Sequence, residues 1–583
     1  MNNKLVIHDA ESKQWLRFQQ PYQIVRADRL DEVLPQWKLV NQMISEHKLY
    51  AAGFISYEAS SAFDSVLHTH SVSSFPLLWF GLYSKPEVIQ LPDLFLSDAY
   101  TWNWYPSVSR EEYDSAIATV KKHIFRGETY QVNYTMRLNA PFSGSPWELF
   151  LKLVRGQQAN YAAYVDIDDF AICSASPELF FRLSGNKLIS RPMKGTAARG
   201  CTLAEDQATA EWLHNSVKNR AENVMIVDMI RNDMGRVADM GSVRVSSLFD
   251  VERYPTVWQM TSTVEATTSV SLCEIMAALF PCASITGAPK PRTMQIITSL
   301  ETTPRHIYTG CIGFISPERQ AQFNVAIRTV LIDKKTSLAE YGVGGGIIWD
   351  SVSSDEYREC QIKAEVLTAK CPDFSLLETI LWTLEDGYFL LDDHLKRLQN
   401  SALYFGIPVK IEEIGQKLDA LVKIFLNQSY KVRLLITRDG SISCETTSLS
   451  SSTNPQPIRL GLSSTPIDST NPFLYHKTTN RQIYDTAQAV HSNCDDVLLW
   501  NERGEITETR IANVIVEMNG ELVTPPVKCG LLPGTFRDDL LAQKKVREEV
   551  VTVEALKKCD RIFVVNSVRK WCEAVLISND TET

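Results

Sequence analysis

The sequence predicts an α+β protein of several domains, and three observations support this fold class. Its 583 residues are too many for one hydrophobic core, since a domain typically takes roughly 150 residues. Stretches with helical spacing are mixed with clusters of short strands, without a regular strand–helix alternation. The pattern also restarts near residue 371, where a proline follows a helix-like stretch.

In the first part of the chain, the spacing of apolar residues predicts both helices and strands. Apolar residues recur every three or four positions over 113–124 and again over 224–237, so a helix is expected in each range. Residues 161–189 form short runs broken by turns, which predicts several strands. Clustered strands beside separate helices indicate an α+β domain.

A second pattern begins after the domain boundary that we place at about 371. An apolar strand is expected over Leu376–Leu384, followed by a turn and a second strand over Tyr388–Leu391. Residues 395–405 then repeat apolar positions at helical spacing. The second part therefore also contains both strands and helices.

Composition and charge exclude several classes of protein. With 44% hydrophobic and 22% charged residues, and no apolar run of about 20 residues, the chain is expected to be globular, without a membrane partner. The net charge of −10 is spread without basic clusters, which argues against a nucleic-acid partner. The amino terminus lacks the pattern of a signal peptide, and the 12 cysteines never form CxxC. We expect free thiols and a cytoplasmic location.

Two segments suit the binding of an anion. Ser284–Lys290 (SITGAPK) precedes a helical stretch, and free N–H groups at a helix start can bind a negative group. Tyr341–Gly346 (YGVGGG) lacks the spacing of a nucleotide phosphate loop, but its glycines would let the backbone approach a ligand closely. For each segment alone, an ordinary helix start or chain turn is the simpler explanation.

Two further patterns suit a metal ion and a nucleophile. Glu356 and Glu359 would share one helix face, and Glu222 begins another helical stretch; such oxygen ligands suit Mg²⁺. Lys194 lies in the turn RPMKGT, and a lysine becomes nucleophilic when its surroundings lower its pKa. Because acidic helix residues and single lysines are more often solvated surface, neither pattern decides the function alone.

Eight stretches between about 110 and 370 connect these segments. They are GETYQVNYT (127–135), SPELFF (176–181), PMKGTAARG (192–200), NRAENVMIVDMIRNDMGRV (219–237), SITGAPKPRTMQII (284–297), YTGCIGF (308–314), FNVAIRTV (323–330) and GVGGGIIWDSVSSDEYRECQIKA (342–364). In this order they resemble the chorismate-utilising enzymes. The resemblance implies a large α/β sandwich of two antiparallel sheets. It also implies a catalytic domain over 111–370, preceded over 1–110 by the amino-terminal part of a synthase component I.

Two positions distinguish members of this family by their chemistry. Members that form isochorismate or salicylate resemble one another in having a lysine base where this sequence has Gln131, which cannot deprotonate water. Anthranilate synthases carry a small residue in the PxxGT turn, where this sequence has Lys194. The resemblance implies that Lys194 attacks C2 of chorismate and expels the C4 hydroxyl, and that ammonia then enters at C4. The implied product is 4-amino-4-deoxychorismate, as for aminodeoxychorismate synthase component I.

The same resemblance assigns roles to other residues. Glu178 would be the general acid for the departing hydroxyl, and the carboxylates of Glu222, Glu356 and Glu359 would hold Mg²⁺ against a substrate carboxylate. The substrate-binding set would be Gln131, Thr286, Arg328, Gly344, Gly345 and Gly346.

Departures from the family pattern leave alternatives open. Gln259 stands where many relatives have a histidine, and Gln322 replaces a usual aspartate. A weakly active scaffold for a glutamine amidotransferase, or an anthranilate synthase-like component with an appended aminotransferase, would be the alternatives; Lys194 argues against the second. No GxCxGHQ-like glutaminase nucleophile occurs in the sequence, so ammonia is expected from a separate glutamine amidotransferase subunit or from solution.

The carboxyl-terminal third contains a second candidate site. Pyridoxal phosphate needs a lysine that holds it covalently, a carboxylate for its ring nitrogen and phosphate ligands. FSLLETILW (374–382), DDHLKRLQNSALYFGIP (392–408), FLYHKTTNRQIYD (473–485), VLLWNERGEITETRIANVIV (497–516) and GLLPGTFRDDLL (530–541) could supply them. Over about 374–583 these stretches resemble the class IV pyridoxal phosphate enzymes, the branched-chain aminotransferases and aminodeoxychorismate lyases, whose fold is an α/β domain pair.

This second resemblance also assigns roles. Lys477 would hold the cofactor and move a proton, Glu508 would pair with the ring nitrogen, and Arg397 and Thr535 would bind the phosphate. Thr379 matches a threonine thought to assist loss of enolpyruvate in lyases. Lyases and aminotransferases share these parts, so the choice of a lyase rests on its use of the first site's product to give 4-aminobenzoate and pyruvate. A homodimer through this domain is a further expectation from the resemblance.

Overall fold

The structure is a computed structural model that describes residues 3–71, 74–92, 102–368, 372–449, 456–491 and 493–577. The chain divides into two compact units, one of Met1–Ala198 with Ala210–Cys371 and one of Arg199–Thr209 with Pro372–Thr583. The boundary expected at about 371 falls within 369–371, outside the described residues. In the described ranges, no helix has the length and apolar character needed to cross a membrane. The eleven described cysteines are free thiols.

Up to residue 368, strands and helices are mixed along the chain. The strands are β1 (Lys4–Asp9), β2 (Gln14–Gln19), β3 (Gln23–Ala27), β4 (Tyr50–Ile55), β5 (Leu78–Tyr83), β6 (Glu87–Ile89), β7 (Tyr105–Pro106), β8 (Gln131–Pro141), β9 (Tyr161–Ile167), β10 (Phe170–Ser176), β11 (Leu179–Ser184), β12 (Lys187–Arg191), β13 (Met193–Ala198), β14 (Arg244–Arg253), β15 (Val257–Thr267), β16 (Gly287–Ala288), β17 (Cys311–Ser316), β18 (Gln320–Val325), β19 (Thr329–Asp333) and β20 (Leu338–Ile347). The helices are α1 (Leu30–His47), α2 (Ser60–Phe63), α3 (Arg110–Phe125), α4 (Pro146–Gln157), α5 (Leu203–Asn215), α6 (Val217–Gly235), α7 (Leu272–Leu279), α8 (Lys290–Leu300) and α9 (Ser353–Ala364).

The strands of the first unit form two ten-stranded sheets whose pairings are all antiparallel. One sheet has the order β16-β8-β20-β19-β10-β9-β1-β2-β6, with β7 beside β8. The other has the order β13-β15-β12-β11-β18-β17-β4-β5-β3, with β14 beside β15. The expected antiparallel arrangement is therefore confirmed.

The alternation of side chains along the strands shows that the two sheets pack face to face as a sandwich. Leu5 and Ile7 of β1 lie in one apolar layer with Phe54 of β4, so side chains of both sheets meet there. Val6, between them in the chain, faces the opposite way and packs with residues of α3 and α4. Successive strand residues point to opposite faces, so each sheet buries one face against the other sheet and one against helices.

The second unit has its own sheets and helices. Its strands are β21 (Leu376–Thr383), β22 (Gly387–Tyr388), β23 (Ser429–Ile436), β24 (Ile442–Leu449), β25 (Ile458–Leu462), β26 (Asp496–Trp500), β27 (Ile506–Thr509), β28 (Asn513–Met518), β29 (Glu521–Thr524), β30 (Arg547–Glu548), β31 (Arg561–Asn566) and β32 (Lys570–Leu576). Its further helices are α10 (Leu391–Phe405), α11 (Ile411–Val422), α12 (Gln482–Ala489), α13 (Thr535–Ala542) and α14 (Val553–Leu556).

The sheets of the second unit confirm an α/β pair of subdomains. One sheet has the order β22-β21-β23-β24 and is antiparallel. The other has the order β27-β26-β25-β32-β31-β28-β29-β30 and is mixed, because β25 pairs in parallel with both neighbours. A further pairing of β27 with β28 links strands across this sheet.

Most of the expected elements are present, with one exception. The helices expected over 113–124 and 224–237 correspond to α3 and α6, and the strands expected over 161–189 are β9 to β12. The strand expected over Tyr388–Leu391 was wrong, since β22 ends at Tyr388 and Leu391 begins α10. Leu390 has a φ of +52°, a left-handed conformation that turns the chain into the helix.

A buried charge network fixes β8 in the first unit. The Glu301 carboxylate accepts hydrogen bonds from Arg305 Nη2 at 2.6 Å and Nε at 3.0 Å, and from the Thr135 backbone N–H at 2.9 Å. Arg305 also donates to the carbonyl oxygens of Ile285, at 2.9 Å, and Asn133, at 2.8 Å. The Arg137 guanidinium lies 3.6 Å from the same carboxylate. The Glu301 carboxylate therefore pairs with Arg305 and lies near Arg137, which is also 3.9 Å from Glu340, beside residues that line the cavity described below.

We expect Glu301→Gln to lower the free energy of unfolding of the first unit by about 3–5 kcal/mol, because it removes the carboxylate that pairs with the buried Arg305 and the nearer of the two carboxylates beside Arg137. Denaturant unfolding measures this change. Asp169→Asn is the control in the same unit, since Asp169 pairs with Lys335 on the surface and such pairs contribute about 0–1 kcal/mol. Equal stability of the two variants would contradict the role of the network.

Candidate active sites

Lys194 lies in β13 and not in a turn as expected, at an irregularity in the pairing of β13 with β15 between Met193 and Thr196. Gly195 has a φ of +93°, and a Cβ there would lie 3.1 Å from the Asn219 side chain of α6, so glycine is required. Gln259 Nε2 of β15 donates to Gly195 O at 3.2 Å and to Thr196 Oγ1 at 2.7 Å. Gln259 therefore supports this irregular part of β13. Desolvation lowers the pKa of the half-buried Lys194, although nearby carboxylates oppose this shift.

Glu178 lines the same cavity as Lys194. It lies between β10 and β11 and is buried, with Ser284 Oγ donating to its Oε1 at 2.6 Å. Burial raises the pKa of Glu178 to about 7, against the hydrogen bond from Ser284 and the charge of Lys194. A carboxyl group with such a pKa can exist in the acid form near neutral pH and donate a proton.

Glycines of β20 allow close packing at the cavity wall. A Cβ at Gly344 would lie 2.2 Å from Tyr134 O of β8, so the two backbones approach too closely for a side chain. A Cβ at Gly346 would lie 1.9 Å from Gln131 Nε2 and 3.2 Å from Lys194 Nζ. The amide of Gln131 and the amine of Lys194 are therefore neighbours. Gln131 is fully buried, and neither polar atom of its side chain has a hydrogen-bond partner among the described residues.

Glu222 of α6 and Glu356 and Glu359 of α9 line this cavity together. Desolvation, together with mutual repulsion, raises the pKa of Glu222 and of Glu356, whereas the Lys363 ammonium lowers that of Glu359. Their oxygen chemistry fits Mg²⁺. Across the described residues, however, no three His, Cys, Asp or Glu side chains form a group that could hold a metal ion. Glu359 instead pairs with Lys363 at 2.6 Å, and Glu356 accepts from Ser351 Oγ at 2.7 Å.

Arg328 also reaches the cavity, but Thr286 does not. Arg328 has a φ of +51° and donates to Lys363 O, a carbonyl that also accepts from Tyr341 OH at 2.9 Å. The Thr286 hydroxyl donates to the carbonyl oxygens of its own turn, and the residue is absent from the cavity wall. The expected role of Thr286 in substrate binding stays a prediction; Ser284, two residues before it, lines the cavity.

Sequence reasoning missed two cationic residues of this cavity, Lys363 and Lys218. Lys363 Nζ donates to Gly344 O at 2.9 Å. Desolvation would lower its pKa, but the charge of Glu359 raises it above its ordinary value. The signal was available, since Lys363 follows Glu359 by four residues and therefore shares its helix face. The cavity thus has positive groups suited to an anionic ligand.

In the second unit, the charges of Lys477 and Glu508 act on each other, although Arg397 and Glu378 affect Lys477 more strongly. Desolvation lowers the pKa of Lys477 to about 8 and raises that of the buried Glu508 to about 7. The Glu508 carboxylate accepts from Tyr484 OH at 2.7 Å and from Asn513 Nδ2 at 3.2 Å. Sequence reasoning missed Tyr484, because it lies 24 residues before Glu508 in a separate helix.

Arg397 and Thr535 belong to one hydrogen-bonded network. Arg397 donates to Glu378 from Nη2 at 2.6 Å and Nε at 2.9 Å, and to Pro533 O at 2.9 Å. His394 Nδ1 lies 2.7 Å from Glu378, and its Nε2 lies 3.3 Å from Thr535 Oγ1. Burial opposes the shift, but Arg397 and His394 lower the pKa of Glu378 to about 2.

These residues fit pyridoxal phosphate. Thr535 begins α13, so the free N–H groups of that helix start lie beside the Arg397 network and suit a phosphate. A Cβ at Gly534 would lie 1.9 Å from Asn513 Oδ1, so only glycine lets the backbone pass there. Thr379 follows Glu378 in β21 and is half-buried; its hydroxyl makes no hydrogen bond to Lys477 in the described part of the chain.

Comparison with known protein families matches both parts of the chain. Residues 2–369 match the family described as chorismate binding enzyme, and residues 375–577 match amino-transferase class IV. The chain belongs to the chorismate binding enzyme family. Its carboxyl-terminal third is a class IV aminotransferase-like domain.

Curated proteins of known name are similar to the first part of this chain. Aminodeoxychorismate synthase component 1 of Klebsiella aerogenes is 40% identical over 258 residues, which are 44% of this chain and 57% of that protein. Anthranilate synthase component 1 3 of Haloarcula marismortui is also 40% identical, over 43% of this chain and 50% of that protein. The chain thus spans about half the length of these curated relatives.

A solved structure shows the same fold for the first unit. Anthranilate synthase component I from Streptococcus pneumoniae superposes with a TM-score of 0.51 at 24% identity, over 63% of this chain and 90% of that one. At this identity the likeness establishes the sandwich fold alone.

Proposed function

We propose that the chain converts chorismate to 4-aminobenzoate in two steps, by amination in the first unit and elimination of pyruvate in the second. The observation that carries the proposal is the cavity shared by Lys194, with its lowered pKa, and Glu178, with a pKa of about 7. A nucleophilic amine and a proton donor are the two groups that replacement of a hydroxyl by this route requires.

In the proposed amination, Lys194 and Glu178 act together. The Lys194 nitrogen bonds to C2, both double bonds of the ring diene shift by one position, and the C4–O bond breaks while Glu178 gives its proton to the departing hydroxyl, releasing water. Glu178 takes up the proton that the lysine nitrogen loses. Ammonia then bonds to C4, both double bonds shift back, and the lysine leaves C2 with the proton that Glu178 returns. The new ammonium at C4 gives a proton to Glu178, which restores the acid. Chorismate and ammonia thus give 4-amino-4-deoxychorismate and water.

The other residues of the cavity would bind the substrate. Arg328 and the glycine strand of β20 suit a carboxylate and the enolpyruvyl group, and Gln131 places an unpaired amide beside Lys194. Glu222, Glu356 and Glu359 would hold Mg²⁺, which would neutralise a substrate carboxylate. Ammonia would come from a separate glutamine amidotransferase subunit.

In the proposed second step, the chain's own groups hold and move protons. Pyridoxal phosphate, when bound, supplies an electron sink for the breaking of bonds at the aminated carbon. Lys477 would hold it covalently and then move a proton, which its lowered pKa favours. Glu508 would pair with the ring nitrogen, Arg397 and Thr535 would hold the phosphate, and Thr379 would assist departure of enolpyruvate. The products would be 4-aminobenzoate and pyruvate, in a cytoplasmic enzyme that dimerises through this domain.

An anthranilate synthase-like function is the second candidate, because a relative of that name is as similar as the aminodeoxychorismate synthases. It would give 2-aminobenzoate. Lys194 favours the first proposal, since a lysine that bonds to C2 directs ammonia to C4. The identity of the product therefore separates the two candidates.

With chorismate, Mg²⁺, pyridoxal phosphate and ammonium, we expect the pure chain to release 4-aminobenzoate and pyruvate, identified by chromatography. Lys194→Ala should release no 4-aminobenzoate, and Lys477→Ala should accumulate 4-amino-4-deoxychorismate, because each loses one step. Lys545→Ala, which changes an exposed lysine, is the control. Appearance of 2-aminobenzoate from the unchanged chain would contradict the proposal.

We expect the amination rate to fall as the pH rises above about 7, because Glu178 must carry a proton and its pKa is about 7. Glu178→Gln should lower the rate by roughly 10²–10⁴-fold and remove this dependence. Initial rates from pH 5.5 to 9 measure both effects, with the exposed Glu111→Gln as the control. If Glu178→Gln keeps the pH profile of the unchanged chain, Glu178 is not the acid.

A further inference from the structure

The second unit contains a short segment from early in the chain, Arg199–Thr209, besides residues 372–583. An ion pair within the segment folds it on itself: Arg199 Nε and Nη2 each donate to the Asp206 carboxylate at 2.6 Å. Both side chains are buried, and Asp206 also accepts from Gly200 N at 3.1 Å. A buried, bidentate pair of this kind gives the segment a fixed shape.

This segment packs against the end of α10 through Tyr404. Arg199 Nη2 donates to Tyr404 O at 2.9 Å, and its guanidinium lies over the tyrosine ring at 4.4 Å. In the reverse direction, Tyr404 OH donates to Gly200 O at 2.8 Å. Cation–π contact and two hydrogen bonds therefore hold the segment on this helix.

The same contacts continue to His476, the residue before Lys477. The His476 ring stacks on Tyr404, with centroids 4.3 Å apart and planes 30° apart. Its Nε2 lies 3.1 Å from Cys201 O, which can only accept, so Nε2 carries the proton and donates. Its Nδ1, 3.0 Å from Ser401 Oγ, then accepts from that hydroxyl. Burial lowers the pKa of His476 to about 4, which keeps the ring neutral and both hydrogen bonds intact.

Lys477 is thus held from two sides. Its carbonyl oxygen accepts from Leu377 N of β21 at 3.0 Å, and the preceding residue is fixed by Cys201, Ser401 and Tyr404. The carbonyl group of Lys477 and the residue before it are therefore fixed before any ligand binds, which limits where the amine of Lys477 can lie.

We propose that Arg199–Cys201 is a structural part of the second site, and that His476, held by this segment, is a positioning residue for Lys477. The proposal rests on the proposed function in one respect, namely that Lys477 holds pyridoxal phosphate. It implies that residues 199–201 are needed for cofactor affinity in the second unit, although they lie in the part of the chain that matches the chorismate binding enzyme family.

The test uses the full chain with His476→Phe, which keeps a ring against Tyr404 but removes both hydrogen bonds. We expect its affinity for pyridoxal phosphate, measured by absorbance titration, to fall about tenfold or more, because the partly buried Cys201 O loses its donor and His476 loses both bonds that fix it. His476→Gln, whose amide can donate to Cys201 O, should recover most of the affinity.

Tyr404→Phe, which loses only the bond to Gly200 O, should weaken binding a few-fold. Gln207→Ala, on the exposed side of the segment, should bind as the unchanged chain does.

A second readout does not depend on the cofactor. In protein without pyridoxal phosphate, amide hydrogen exchange of residues 473–481 should become faster in His476→Phe and Tyr404→Phe, and stay unchanged in Gln207→Ala. Faster exchange with no cofactor binding even by the unchanged chain would support the positioning contact while contradicting the proposed function. Unchanged exchange and unchanged affinity in both aromatic variants would overturn the inference.

Discussion

Desolvation of a lysine amine near a glutamate is the interaction on which both sites depend. In the first unit it lowers the pKa of Lys194 and raises that of Glu178 to about 7. In the second it lowers the pKa of Lys477 to about 8 and raises that of Glu508 to about 7. In each site, low polarity disfavours the charged forms of both groups, which favours the neutral amine and the protonated carboxyl. Any change that admits water would weaken the nucleophile and the acid together.

The folds supply this desolvation by close backbone packing and buried charge networks. In the first unit, glycines at 344 and 346 let β20 approach β8, where side chains would collide. The carboxylate of Glu301 then fixes β8 and the turn after Cys282 through Arg305. In the second unit, Glu378 and its partners hold the start of α13 beside the candidate phosphate site. These parts position groups without taking part in bond changes.

The sequence predicts elements and motif residues well, but it does not predict their pairing. Local spacing gave the ranges of α3 and α6, because a helix follows from residues within a few positions. The bond from Ser284 to Glu178 joins residues 106 apart, and no local signal indicates it. For the same reason, no local signal indicates that the Thr286 hydroxyl donates within its own turn. Lys363 could have been found from its spacing to Glu359, whereas the packing of Arg199–Thr209 with the second unit could not.

The most direct test of the central claim is peptide mass spectrometry of the chain incubated with chorismate and Mg²⁺ in the absence of ammonia. If Lys194 is the desolvated nucleophile, the peptide that contains it should gain the mass of chorismate less one water. The adduct should disappear on addition of ammonium and be absent from Lys194→Ala. An unmodified Lys194 peptide in a sample that consumes chorismate once ammonium is added would contradict the account.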